Sequence, residues 1–377
     1  MSLRILFICG SFEPGRDGVG DYVRRLSIDL SNKGHVVAVA AINDSHIVAI
    51  EDKKEQTGNG ELSVFRLPAG LKESDKWHRL KNWVDNFNPE WLSLQYVPYS
   101  FHPKGLIFGL SGNLKNLGKG RKWHIMFHEL WIGMNTESNT KELIYGGIQR
   151  YLANGLINAL KPVVIHTHTD LYKKQLEKTG AQVSLLPLFS NIPVVHPEVV
   201  SKKISQVIVP GKKIDVVIFG GIHAGAAIGQ LAKEAAAYAS KTDSQINLVI
   251  IGRNGKEQER WTEEWKDDGL SIEQLGEQSE EKVSEMLENA TFGIFTTPIA
   301  LVEKSGSVCA MREHGLHLLC VSREWTPKGI QLNENPYHIL IYKEGNLTEF
   351  LTTQPDFSYM PVLKTISEQF VTNLTMN

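Results

Sequence analysis

Short apolar runs alternate with amphipathic stretches along the whole chain. Arg4 to Cys9 reads as a buried strand. A helix over Tyr22–Asn32 follows, with Val23, Leu26 and Leu30 at helical spacing and Gly34 marking its end. Asp21 is the expected cap, and residues 10–20, rich in Gly and bearing Pro14, read as a loop. His35–Ala41 is the next strand. Strand patterns at Leu62–Leu67, Trp91–Val97, Trp123–His128, Val163–His168 and Val183–Leu188 then alternate with helix patterns at Trp77–Phe87, Leu106–Leu117, Thr140–Leu160 and Leu171–Lys178. Such alternation predicts a parallel sheet with helices on both faces.

Residues 189–213 break this rhythm with three prolines and a polar, basic stretch, and read as an inter-domain linker. The rhythm restarts with a strand at Ile214–Ile222, a helix at Ala224–Ser240, strands at Ile246–Gly252 and Ile272–Leu275 around a helix at Gln258–Asp267, and a helix from Ser279 to Asn289. The fold class expected is α/β, with two Rossmann-like doubly wound domains facing a cleft. Their bounds are 1–195 and 196–360, and a helix over 361–377 has the option of crossing back to the first domain.

Candidate chemistry lies at strand-to-helix turns. Phe292–Phe295 is a short strand ended by Thr296, Thr297 and Pro298, and Val308–His314 suits a helix closed by Gly315. Between them lie Glu303, Lys304, Ser305, Gly306 and Ser307. Small residues let a ligand approach the backbone, a helix start favours an anion, Lys304 adds charge, and Glu303 suits sugar or ribose hydroxyls. Ser305 or Ser307 also fits a plain helix cap. In the first half, Gly18, Val19 and Gly20 sit at the first strand-to-helix turn, a weaker signal because the spacing departs from GxGxxG. His128 and the pair His166 and His168 end two strands at what would be the ligand edge. The His-x-His pair has no third metal ligand in view.

Composition narrows the picture. Residues 1–195 carry a net +5 and residues 196–377 a net −7, with a basic cluster at Lys115, Lys119, Arg121 and Lys122. The cluster fits an ordinary solvated surface, or weak peripheral contact with anionic lipid or a phosphate-bearing acceptor, but it lacks the aromatic interleaving of a nucleic-acid binder. No apolar run reaches the roughly 18–20 residues of a membrane span. The start, MSLRILFICG, runs directly into a strand, so no signal peptide is read. Cys9, Cys309 and Cys320 lie far apart in apolar contexts without metal spacing, and a cytoplasmic location is expected.

These residues resemble the group 1 retaining glycosyltransferases of GT-B fold, over most of the chain. Gly18-Val19-Gly20, its helix and NKGHVVAV are similar to the family's glycine loop, helix and Gly-His-x-Val strand. FHELW resembles the strand end with the sugar-contacting histidine. LVIIGRNG, IEQLGEQSEEKVSEMLENATFGIFTTP and EKSGSVCAMREHG follow the family's order. The resemblance implies transfer from a nucleotide-diphosphate sugar to a glycan or lipid-linked acceptor, without cofactor or metal. His128 and Glu303 would be the catalytic residues. Gly18, Val19, Gly20, Gly221, Arg253, Lys304, Ser305, Gly306 and Ser307 would bind substrate. Two departures stand out. The family's Arg and Lys after the first strand of the second domain are replaced by Gly220-Gly221-Ile222-His223, and Met311 stands where a second glutamate holds the ribose, with Glu313 two residues late and Ala310 at that place when the match is run back from Gly315. Lys304, Arg253 and the backbone at Ser305–Ser307 are the expected substitutes for the phosphate charge. A non-catalytic binder of nucleotide sugars or glycans, and a nucleotide-sugar epimerase, are the alternatives.

Overall fold

A computed structural model describes residues 2–58, 60–203, 208–332, 335–353 and 362–376. The chain forms two compact units, one of Met1–Pro187, Pro327–Gln331 and Leu363–Asn377, the other of Leu188–Thr326 and Leu332–Val362. The first holds strands β1 (Arg4–Cys9), β2 (Val36–Asp44), β3 (Glu51–Thr57), β4 (Gly60–Pro68), β5 (Trp91–Tyr96), β6 (Lys122–Phe127), β7 (Val164–Thr167) and β8 (Ser184–Leu185), in the order β3-β4-β2-β1-β5-β6-β7-β8. The second holds β9 (Lys213–Phe219), β10 (Gln245–Ile251), β11 (Ser271–Gly276), β12 (Phe292–Phe295), β13 (His317–Cys320) and β14 (Leu340–Ile341), in the order β11-β10-β9-β12-β13-β14.

All named pairings are parallel except β3 with β4. The central strands are apolar on both sides because helices cover both faces. In β9, Val216 and Ile218 enter the core beneath the Ile228–Thr242 helix, while Val217 enters the opposite core with Val308 and Met311. β3 has the sequence EDKKEQT, and no apolar pattern announces it; it is held by its backbone ladder, and its lysines suit an edge.

Three sequence expectations change. The stretch read as a linker includes a helix, Pro197–Lys203, and is tied to the second unit. There Glu288 Oε1 accepts from the amides of Val195 at 3.0 Å and His196 at 2.8 Å. The helix expected from Leu106 begins at Leu110, after Gly109 at φ 80. The first helix runs Gly18–Asn32 and is capped by Asp17, so residues 18–20 belong to its first turn. Residues 204–207 of the linker stretch, and Pro361 at the expected start of the last helix, lie outside the described residues.

Beneath the first helix and the final helix, Leu363–Thr375, the first sheet carries a buried polar row. It comprises Ser93, Gln95, His124, His128, His166 and His168. Tyr22 packs edge-on to His128 and His168, and Phe370 covers His124 and His166. The row is one hydrogen-bonded chain. Asn373 meets His166 Nε2 at 2.8 Å, His166 Nδ1 meets His124 Nε2 at 3.0 Å, and His124 Nδ1 meets Ser93 Oγ at 2.7 Å. Gln95 Nε2 donates to Ser93 Oγ at 2.8 Å and Gln95 Oε1 faces His128 Nε2 at 2.8 Å, while His128 Nδ1 meets His168 Nε2 at 2.9 Å and His168 Nδ1 the Leu186 carbonyl at 2.9 Å.

That terminal carbonyl can only accept, which sets the direction of each proton. Four neutral imidazoles protonated on Nδ1 satisfy the whole chain when the Gln95 amide nitrogen is assigned to face His128. With Gln95 Oε1 facing His128, as the side chain stands, one imidazolium is required, at His128 or at His168. Burial opposes that charge: it pushes His124 and His128 well below the ordinary histidine range and His166 to about 4 from 6.5.

Because these folded values are depressed, the unfolded chain binds more protons, and stability falls as pH drops below about 6.5 toward 4. At 1.36 kcal/mol per unit, His166 alone contributes up to about 3 kcal/mol. Urea denaturation at about pH 7.5 and about pH 5 is expected to show a lower midpoint in acid; an unchanged midpoint would show that the buried histidines bind protons as readily as those of the unfolded chain, and a higher one that the row is charged when folded. His128→Ala removes the group that meets the Gln95 side chain on one side and His168 Nε2 on the other, and is expected to cost about 2–3 kcal/mol of stability. Thermal melting beside a turnover assay checks this. A variant that melts like wild type but has lost turnover would instead make His128 a substrate contact.

Candidate functional site

The second sheet reverses its winding between β9 and β12. The chain steps outward from β9 through β10 to β11, then returns to the other side of β9. In doubly wound sheets, ligands bind outside the carboxyl ends of the strands at such a reversal. β9 runs into Gly220, at φ 87, where a Cβ would lie 3.2 Å from Ser307 Cβ. The missing side chain lets the helix Gly306–Glu313 start against the strand end.

β12 leads through Thr296, Thr297 and Pro298 into a 3-10 turn, Ile299–Lys304, and then to Ser305. Ser305 is the N-cap: its Oγ accepts from the Val308 amide at 3.4 Å and its carbonyl from the Cys309 amide at 2.9 Å. The amides of Gly306 and Ser307 have no partner among the described residues, which leaves the positive end of the helix open. A cavity of about 440 Å³ opens here, and its wall includes His223, Thr297, Lys304, Ser305, Arg323 and Trp325. Arg323 makes no ion pair among the described residues. Burial first, then Lys304 and Arg323, hold the His223 imidazole below its ordinary range.

Of the residues expected to bind a ligand, Lys304 and Ser305 line this cavity, with Gly306 and Ser307 at the adjoining helix start. Gly221 is exposed in the same loop as His223 but outside the wall. Arg253 is paired with Glu277 at 3.0 Å, away from the lining. Glu303 lines a separate small cavity with Cys309, Arg312 and Tyr337. Met311 is fully buried, and a Cβ on Gly293 would come within 2.7 Å of its sulfur. Glu313 accepts from the Ser190 amide at 2.6 Å. Arg323 and Trp325 were not singled out from sequence. Their one signal is a polar, aromatic SREW directly after an apolar strand.

In the first unit the glycine turn is spent internally. The Asp17 carboxylate accepts from the amides of Val19 and Gly20, both at 2.8 Å, so these groups are closed to an anion. Asp21, the expected cap, accepts instead from the Gly15 amide at 2.9 Å. The loop ahead is held by Asp44, which accepts from Ser11 Oγ, the Phe12 amide and Arg66. Both ring nitrogens of His128 are engaged within the polar chain. In the basic cluster, Arg121 pairs with Asp85 and Lys122 lies over the Trp91 ring. Among the described residues no group of three or more His, Cys, Asp or Glu is placed to hold a metal ion, and no helix is long and apolar enough to cross a membrane.

No family model and no curated protein matches the sequence. Solved structures do share its fold. The catalytic domain of starch synthase IV from Arabidopsis thaliana, bound to ADP and acarbose, matches with a TM-score of 0.55 at 11% identity, over 100% of this chain and 99% of that one. An α,α-trehalose 6-phosphate synthase from Burkholderia multivorans matches at 0.59 and 11% identity, over 100% and 97%. A UDP-GlcNAc 2-epimerase from Neisseria meningitidis, bound to UDP-GlcNAc, matches at 0.53 and 10% identity, over 100% of both chains. At such identities the likeness is one of fold, and transferases and an epimerase both carry it. The chain is thus an α/β protein with two parallel-sheet, Rossmann-like units of the GT-B kind.

Proposed function

We propose that the protein is a glycosyltransferase of the group 1 kind. It would move a sugar from a nucleotide-diphosphate donor to a glycan or lipid-linked acceptor, with retention at the anomeric carbon. The observation that carries this reading is the cationic cavity at the strand reversal of the second sheet. A diphosphate bound there meets Lys304, Arg323 and the open amides of Gly306 and Ser307. Each of these stabilises the negative charge that grows on the phosphate as its bond to the sugar breaks. The acceptor oxygen bonds to the anomeric carbon on the face the phosphate leaves, and its proton passes to the departing phosphate oxygen. That step asks for no side-chain nucleophile, and the cations and helix end supply charge that a metal supplies elsewhere. Trp325 offers a flat apolar face to a sugar ring or base. The starch synthase of the same fold holds ADP and the epimerase holds UDP-GlcNAc, in keeping with a nucleotide diphosphate as the shared ligand.

One observation favours a second reading, binding without turnover. Met311 is in the core and Glu313 is tied to Ser190, so the carboxylate expected at the ribose is missing from both positions. Incubation with a panel of UDP-, GDP- and ADP-sugars separates the readings. Nucleotide release that depends on an acceptor supports transfer. Binding without release supports the second reading, and isomerised donor would make the protein an epimerase. Lys304→Ala and Arg323→Ala are each expected to weaken nucleotide-diphosphate binding about 10-fold or more, since a charge-assisted contact contributes about 1.5–3 kcal/mol. Unaltered affinity in both folded variants would remove the cavity as the donor site.

A further inference from the structure

We propose that His223 is a third, proton-dependent ligand for the diphosphate in this cavity, so that the nucleotide binds together with one proton. The inference rests on the donor-site reading above. His223 lies in the loop between β9 and the Ile228–Thr242 helix. Its backbone amide donates to Thr296 Oγ1 at 2.7 Å, which fixes the loop to the end of β12. The imidazole lines the cavity and has no hydrogen-bond partner among the described residues.

The charged groups facing the ring come from two other segments. Lys304 belongs to the turn ahead of the Gly306–Glu313 helix, and Arg323 to the loop after β13. The end of β12 contributes only the hydroxyls of Thr296 and Thr297, and the rest of the loop, residues 220–227, holds no ionisable side chain. With two cations acting on it and no carboxylate among the described residues, the ring is neutral when the cavity holds no anion. A diphosphate among the three groups reverses that field, because an opposite charge within about 4–6 Å favours the protonated imidazole. The protonated ring then donates a hydrogen bond to phosphate oxygen. Cleavage of the sugar–phosphate bond adds negative charge to the leaving group, so the same proton favours departure. His223 would thus replace, from within the loop itself, part of the cationic pair that Gly220-Gly221-Ile222-His223 lacks.

The test is calorimetric titration of UDP and ADP into the full chain, in two buffers of unlike ionisation enthalpy. Wild type, His223→Gln and His223→Lys are compared, each first shown by melting to be folded. The ligands' own phosphate titration is common to all three proteins and cancels in the comparison. Wild type is expected to take up close to one proton more than His223→Gln, with affinity rising up to about tenfold per pH unit as pH falls from about 8 to about 6. His223→Lys, with a fixed charge, is expected to bind with a flat profile after the same correction. Equal proton uptake and equal pH slopes in wild type and His223→Gln would overturn the proposal and leave the donor site standing. Wild-type protein that binds neither nucleotide at about pH 6 would overturn both.

Discussion

The first unit depends on one requirement, that each polar group buried beneath its final helix find a partner. An unpaired group in such a site costs about 1–3 kcal/mol, and the row from Asn373 to Leu186 places four imidazoles, a serine and an amide there. The last helix is therefore part of the first sheet's interior. Asn373 ends the polar chain, Gln369 donates to the Leu185 carbonyl, Ser367 pairs with Asp29, and Lys33 reaches the Lys364 carbonyl. An apolar helix in its place would leave His166 Nε2 unsatisfied. The interior thus selects for this one segment from the far end of the chain.

Much of the fold was legible because parallel strands are buried on both faces and leave continuous apolar runs, as in RILFIC and KIDVVIF. β3 was not, since an edge strand satisfied through its backbone needs no apolar side chains. The first helix cap was misplaced for a similar reason. Asp17 and Asp21 are chemically equivalent in sequence, and only the path of the loop decides which carboxylate meets the amides. In the candidate site, Lys304 to Ser307 could be read because cation, small residues and helix start are contiguous. Arg323 and Trp325 could not. They reach the cavity because β13 lies beside β12, a pairing that leaves no local trace in the sequence. Met311 was read as a missing carboxylate, and the structure shows what the position does instead: it fills the space that Gly293 leaves open.

The cavity is positive in the half of the chain that is negative overall. Near the cavity, Lys304 and Arg323 are the charges that act on the His223 ring. Screening at physiological salt decays over about 8 Å, so the distant acidic surface contributes little inside the crevice. Net charge therefore describes how the whole chain behaves in solution, and the arrangement of a few side chains around a helix start describes what the crevice attracts.

Both sheets carry a strand-to-helix turn at the place where a doubly wound fold meets its ligands, yet the two turns differ in what meets their amides. Asp17 holds its carboxylate oxygen 2.8 Å from two amides, where a phosphate oxygen would otherwise sit. The first unit in effect carries its own tethered anion, whose contact with the amides is intramolecular and does not depend on the concentration of any dissolved ion. The second unit has no such occupant at Gly306 and Ser307. The amides of Val19 and Gly20 are therefore already spent on a carboxylate of the chain itself, and those of Gly306 and Ser307 are not.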